Sequence, residues 1–166
     1  MRELWRLEML FAAGSQCLYY KSRKDELMEI IKTDELKNAS SEVLAKEAVK
    51  ILIEKKGFDI KLFDVKEGTG ITDYYVNVTG RSMTHVASLA DDLCEMLGNR
   101  GRCELRVEGK RGNGWILVDY GDVIINVFDK ESRTFYNFDR LLPSEGEIDI
   151  SDLVAEVDAK LDINKN

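Results

Sequence analysis

Four aspartates could carry metal chemistry in this sequence of 166 residues. Asp64 and Asp73 flank one turn, and Asp119 and Asp122 flank another inside the stretch WILVDYGDVIINVF. Paired carboxylates can hold a divalent ion, and two ions can clamp a phosphoryl group in transfer. Asp119 and Asp122, however, bracket a Tyr-Gly link. Aspartate is common in such links because its side chain bonds the backbone of the turn. Turn chemistry is the better account of that pair.

Other candidates are weaker. Gly80-Arg81-Ser82 follows an apolar run and opens a helical pattern, so backbone N–H groups there could meet a phosphate. A glycine turn followed by a serine cap explains the same residues, and there is no GxxxxGK[ST] loop. His85, the one histidine, stands three positions past Ser82. A nucleophilic Ser/His pair needs a third, orienting group, and an exposed first-turn histidine is the simpler reading. Cys17, Cys94 and Cys103 lack metal-ligand spacing, and Cys94 sits among apolar helix positions as a core residue would. The residues therefore imply neither catalytic nor metal chemistry and call for no cofactor.

A net charge of −7 argues against a general nucleic-acid coat, DNA included, because phosphate binding leans on Lys and Arg. The basic run from Arg100 to Arg111 reads as a solvated loop. Three cysteines read as free thiols, and with no secretory signal they point to a reducing cytoplasm. Arg6 and Glu8 interrupt the apolar N-terminus, so it is too short to anchor in a membrane, where roughly 20 apolar residues are needed.

The elements that hold these residues follow from periodicity. Ser41 can cap a helix from Glu42, with Leu44, Ala48, Ile51 and Leu52 at helical spacing and Gly57 at its end. Strands are expected at 59–65 and 73–80. A helix capped by Ser82 then carries Val86, Leu89, Ala90, Leu93 and Leu97. Further strands are expected at 103–109, 115–119 and 123–128, the last two joined through Gly121. RTFYNFDRLL closes the core, and Ile150, Leu153, Val154, Val157 and Leu161 mark a C-terminal amphipathic helix. The pattern implies an α/β (α+β) fold: a single mixed β-sheet of about five strands flanked by helices. Residues 1–40 read as an N-terminal extension, 41–143 as the domain and 144–166 as a tail. Within the hairpin, Trp115, Leu117 and Asp119 share one strand face, and Ile116 and Val118 the other. Val123, Ile124 and Ile125 do not alternate. The hairpin fits a central sheet position or a partner surface, and spacing alone leaves both open.

TGITDYYVNVTGRSMTHV, RVEGKRGNGWILVDYGDVIINVF and RTFYNFDRLL, with KKGFDIKLFDV upstream, together resemble the ribosomal silencing factor (RsfS, Iojap-like) family over residues 42–142. The resemblance implies a nucleotidyltransferase-like fold without catalytic residues. It also implies a non-enzymatic, cytoplasmic repressor of translation, a homodimer when free. Such a protein binds the large ribosomal subunit through ribosomal protein L-fourteen and blocks joining of the small subunit. The docking surface it implies comprises Trp115, Ile116, Leu117, Asp119, Gly121 and Val123, with Asp119 and Asp122 able to meet basic side chains. The rival expectation is a metal-dependent nucleotidyl- or phosphoryl-transfer enzyme. Two positions depart from the family pattern: Asn126 stands where a histidine is usual, and Leu142-Pro143 where a tryptophan is. Met28 would make a family-like start.

Overall fold

The structure is a computed structural model that describes residues 33–68, 70–109, 112 and 114–163. Met28 and Cys17 lie outside the described residues. In chain order the elements are α1 (Ser41–Glu54), β1 (Phe58–Asp64), β2 (Tyr74–Thr79), α2 (Met83–Asn99), β3 (Arg106–Glu108), β4 (Trp115–Asp119), β5 (Val123–Phe128), α3 (Lys130–Tyr136), β6 (Glu147–Ile148) and α4 (Ser151–Ile163), with a 3-10 turn at Phe138–Leu141. Among the described residues the strands form one mixed sheet in the order β3-β4-β5-β2-β1-β6. This is the expected α+β arrangement with one strand more, because a two-residue β6 carries no periodic signal of its own.

Only the central pair β2–β5 runs parallel; β1–β2, β1–β6, β3–β4 and β4–β5 are antiparallel. Both central strands are buried at every position, which explains why VIINVF does not alternate. Helices α1 and α2 cover one face. Leu44, Leu52, Leu89, Leu93 and Leu97 meet Val76, Val78, Ile116, Val118, Val123, Ile125 and Val127 there. Ser40, one residue earlier than expected, caps α1 by accepting from the Val43 N–H at 3.4 Å. Ser82 caps α2 as expected, accepting from the His85 N–H at 3.2 Å. Gly57 is required by contact rather than by dihedral angle: a Cβ there would lie 2.6 Å from Val78 Cγ2.

Both ends of the described stretch are tied to this body. Leu36 is buried, and Thr33 N–H donates to the Asn99 carbonyl at 2.9 Å beyond the end of α2. The segment read as a tail supplies β6 to the sheet edge and lays α4 on α1, with Val157 buried and Lys50 paired to Glu156 at 2.8 Å. Lys50 and Lys160 together hold the Glu156 carboxyl well below its usual range, at about 2.

Candidate functional site

Among the described residues the second face of the sheet has little cover. Phe63, Val65, Tyr75, Ile124 and Leu142 form a thin apolar layer there, with Leu117 and Phe138 packed against it. Its cover is the short segment from α3 through the 3-10 turn. Aspartate 129 starts α3 by accepting from the Ser132 N–H at 2.7 Å. Glycine at 114, with φ +67°, lets that helix end approach β4, since a Cβ there would fall 2.4 Å from Asp129 Oδ2.

An aromatic ledge stands where this segment meets β4. Trp115 stacks on Phe128 with ring centroids 5.0 Å apart and meets Tyr136 at 4.9 Å and Phe138 at 6.0 Å. Tyr136 in turn meets Phe135 edge-on at 5.0 Å. Phe135 is 81% exposed, Leu141 75% and Tyr136 48%. These residues narrow the expectation that RTFYNFDRLL closes the core: Leu142 and Phe138 close the thin apolar layer, whereas Phe135, Tyr136 and Leu141 face outward. From that stretch only Arg133 and Leu142 are buried. The signal was available: consecutive positions on a helix point about 100° apart, so adjacent aromatics cannot both face inward.

Period two in β4 is obeyed. Trp115, Leu117 and Asp119 lie on this open face, half-buried, and Ile116 and Val118 lie under the helices. The expected docking set therefore divides. Trp115, Leu117, Asp119 and the turn residue Gly121 are within reach of a partner, whereas Ile116 and Val123 are 4% and 0% exposed in the helix-side core.

The four candidate carboxylates do not gather. Asp64 accepts from the Lys66 N–H at 3.1 Å and faces its ammonium at 3.6 Å. Asp119 Oδ1 accepts from the Gly121 N–H at 2.7 Å, the expected turn chemistry, and its Oδ2 lies 3.7 Å from Arg106. Asp122 pairs with Arg102. At Asp73 it is the backbone that is engaged, donating to the Asp122 carbonyl at 3.0 Å. Among the described residues no group of three His, Cys, Asp or Glu side chains is placed to hold a metal ion. Burial, with the Asp119 carboxylate nearby, holds the Tyr75 phenol above its ordinary range.

His85 is not the exposed residue that its place in the first turn implied. Its Nδ1 accepts from the Arg81 N–H at 3.1 Å, so the ring proton sits on Nε2 and is donated to the Lys55 carbonyl at 3.0 Å. The imidazole thus ties the start of α2 to the end of α1. Cys94 is half-buried against the core, but Cys103 is disulfide-bonded, which removes one premise of the free-thiol argument. Among the described residues no helix is long and apolar enough to cross a membrane.

Comparison with known proteins bears on what such a face is for. A family model described as "Ribosomal silencing factor during starvation" matches residues 37–165. A protein of Halalkalibacterium halodurans named ribosomal silencing factor RsfS is 27% identical over 116 residues, which is 70% of this chain and 99% of that protein. The mouse protein named "Mitochondrial assembly of ribosomal large subunit protein 1" is 29% identical over 96 residues, 56% of this chain and 42% of its own length. A solved structure from Chromobacterium violaceum superposes with a TM-score of 0.61 at 29% identity, covering 63% of this chain and 87% of the other.

Proposed function

This chain belongs to the ribosomal silencing factor family, and on that premise we propose that it represses translation by steric occlusion. It binds the large ribosomal subunit in the cytoplasm through ribosomal protein L-fourteen and keeps the small subunit from joining. Ribosomal silencing factors are not a known class of enzyme, and occlusion needs affinity and bulk rather than chemistry. One observation carries the reading: an exposed aromatic ledge stands on the sheet face that, among the described residues, no long helix covers. Aromatic side chains with a polar tip, set among residues that exclude water, are the usual anchors of protein–protein contacts. The docking surface comprises Trp115, Leu117, Asp119 and Gly121 on the hairpin, extended by Phe135, Tyr136 and Leu141. Ile116 and Val123 support it from beneath. Asp119 and Asp122, being internally paired, contribute shape to the hairpin more than charge to the partner.

The deciding experiment adds purified protein to isolated subunits and follows joining by sucrose gradient. Joined particles are expected to fall and the protein to migrate with large subunits. Full joining at saturating protein, or no migration with large subunits, removes the reading. The free protein is proposed to be a homodimer, so equilibrium sedimentation should return twice the chain mass of 18.9 kDa. A single chain mass across the concentration range rejects the dimer.

A further inference from the structure

Beneath the ledge runs a line of buried polar groups that an apolar docking face does not require. Asn77 and Asn126 stand opposite each other in the register of the parallel pair β2–β5, and both are 0% exposed. Two amides in the middle of a sheet are costly unless their donors and acceptors find partners. Here they do. Trp115 Nε1–H donates to Asn126 Oδ1 at 3.0 Å, Asn126 Nδ2 donates to Asn77 Oδ1 at 2.9 Å, and Asn77 Nδ2 donates to Asp139 Oδ1 at 2.7 Å. Asp139 Oδ2 in turn receives Arg133 Nη2 at 2.9 Å and Nε at 3.1 Å. The same guanidinium reaches Thr79 Oγ1 at 3.3 Å and the Asp59 carbonyl at 3.2 Å.

Both ends of this relay fix its direction. An indole N–H can only donate, and a carboxylate held by a guanidinium can only accept. Each amide between them therefore has a single orientation. Stacking on Phe128 restrains the plane of the Trp115 ring but does not by itself choose which edge points inward. The hydrogen bond to Asn126 chooses.

We infer that Asn126 is a positioning residue for partner binding: though no partner can reach it, it sets the indole of Trp115 in its docking orientation through the relay from Arg133 and Asp139. The inference rests on the reading of the open face as the docking surface. An anchor already held in one orientation loses less freedom on association, so preorganisation appears as affinity, chiefly through slower dissociation.

The test uses Asn126→Leu in a Trp5→Phe background, which leaves Trp115 as the single indole. Two quantities are read: the resonance and hydrogen-exchange rate of the Trp115 indole N–H, and the dissociation constant for purified large subunits. The indole N–H should shift and exchange faster, and affinity should fall about tenfold. Asn126→His at about pH 8 is the rescue, because a neutral imidazole offers one acceptor and one donor at a spacing close to an amide's. It should restore both the indole signature and the affinity. Affinity that stays at the wild-type level while the leucine variant's indole exchanges freely overturns the proposal. If the leucine variant does not fold, Asn126→His decides alone: weakened binding beside a wild-type indole resonance, or wild-type binding beside an altered one, also overturns it. Trp115→Ala run alongside separates the two ideas, since wild-type affinity for that variant rejects the docking surface itself.

Discussion

Trp115→Ala is expected to leave a folded chain that no longer migrates with large ribosomal subunits. Its indole is half-buried, so truncation opens no closed cavity, and the helix-side core beneath β4 rests on Ile116 and Val118 instead. What is lost is the centre of the ledge, where Phe128, Tyr136 and Phe138 all meet the same ring. Truncating an anchor of this kind costs at least about 2 kcal/mol of binding, roughly a thirtyfold weaker complex. Gradient fractionation reads the loss, and circular dichroism on the same preparation confirms the fold. Leu141→Ser, at the exposed far end of the segment, is a milder companion. Co-sedimentation of Trp115→Ala at the wild-type level takes the hairpin out of the docking surface.

Asp139→Ala is expected to lower folding stability by about 3 kcal/mol, the largest stability loss of a single surface-near substitution here. Arg133 is 8% exposed, and its nearest carboxylate is Asp139. Without that partner the guanidinium keeps Asp59 Oδ2 at 3.8 Å, two neutral acceptors and the face of the Phe128 ring at 5.5 Å, and the Asn77 amide loses its own acceptor. Removing one member of a buried pair leaves the other's charge uncompensated. The residual Asp59 contact places the loss at the low end of the usual range. Urea denaturation measures it, and a midpoint shift within experimental scatter shows that Arg133 is solvated after all. Replacing Arg133 as well, by leucine, should recover part of the loss, because the stranded charge goes with it.

What the sequence made legible is local. Alternation in WILVD assigned its five side chains to the correct faces, and a serine ahead of an apolar stripe marked the start of α2. What it concealed depends on distant partners. The docking set expected from the sequence was a contiguous stretch, but a surface is a face of the sheet. Ile116 and Val123 therefore face the helices, while the exposed Phe135, Tyr136 and Leu141 of the proposed surface lie outside that stretch. Helix α3 has no apolar stripe to announce it, since its one buried residue is Arg133. The role of His85 depends on a carbonyl 30 positions away. The Asp59 carbonyl meets Arg133 because Asp59 takes a left-handed conformation, φ +49°, beside an irregularity in β1, which an aspartate in a strand-like run does not advertise.

The single parallel pairing has a consequence in time. Tyr74 of β2 waits for Val123 of β5, with α2, β3 and β4 all lying between them in the chain. The β1–β2 and β4–β5 ribbons can each zip up locally, but uniting them requires closing that long loop, the step that slows folding in topologies of distant contacts. The ledge sits on the later ribbon and on the segment after it. A chain made only as far as α2 therefore has neither the partner strand for β2 nor the ledge, whose residues all come from β4 onward. The surface proposed for docking is thus present only after the two ribbons of the sheet have joined.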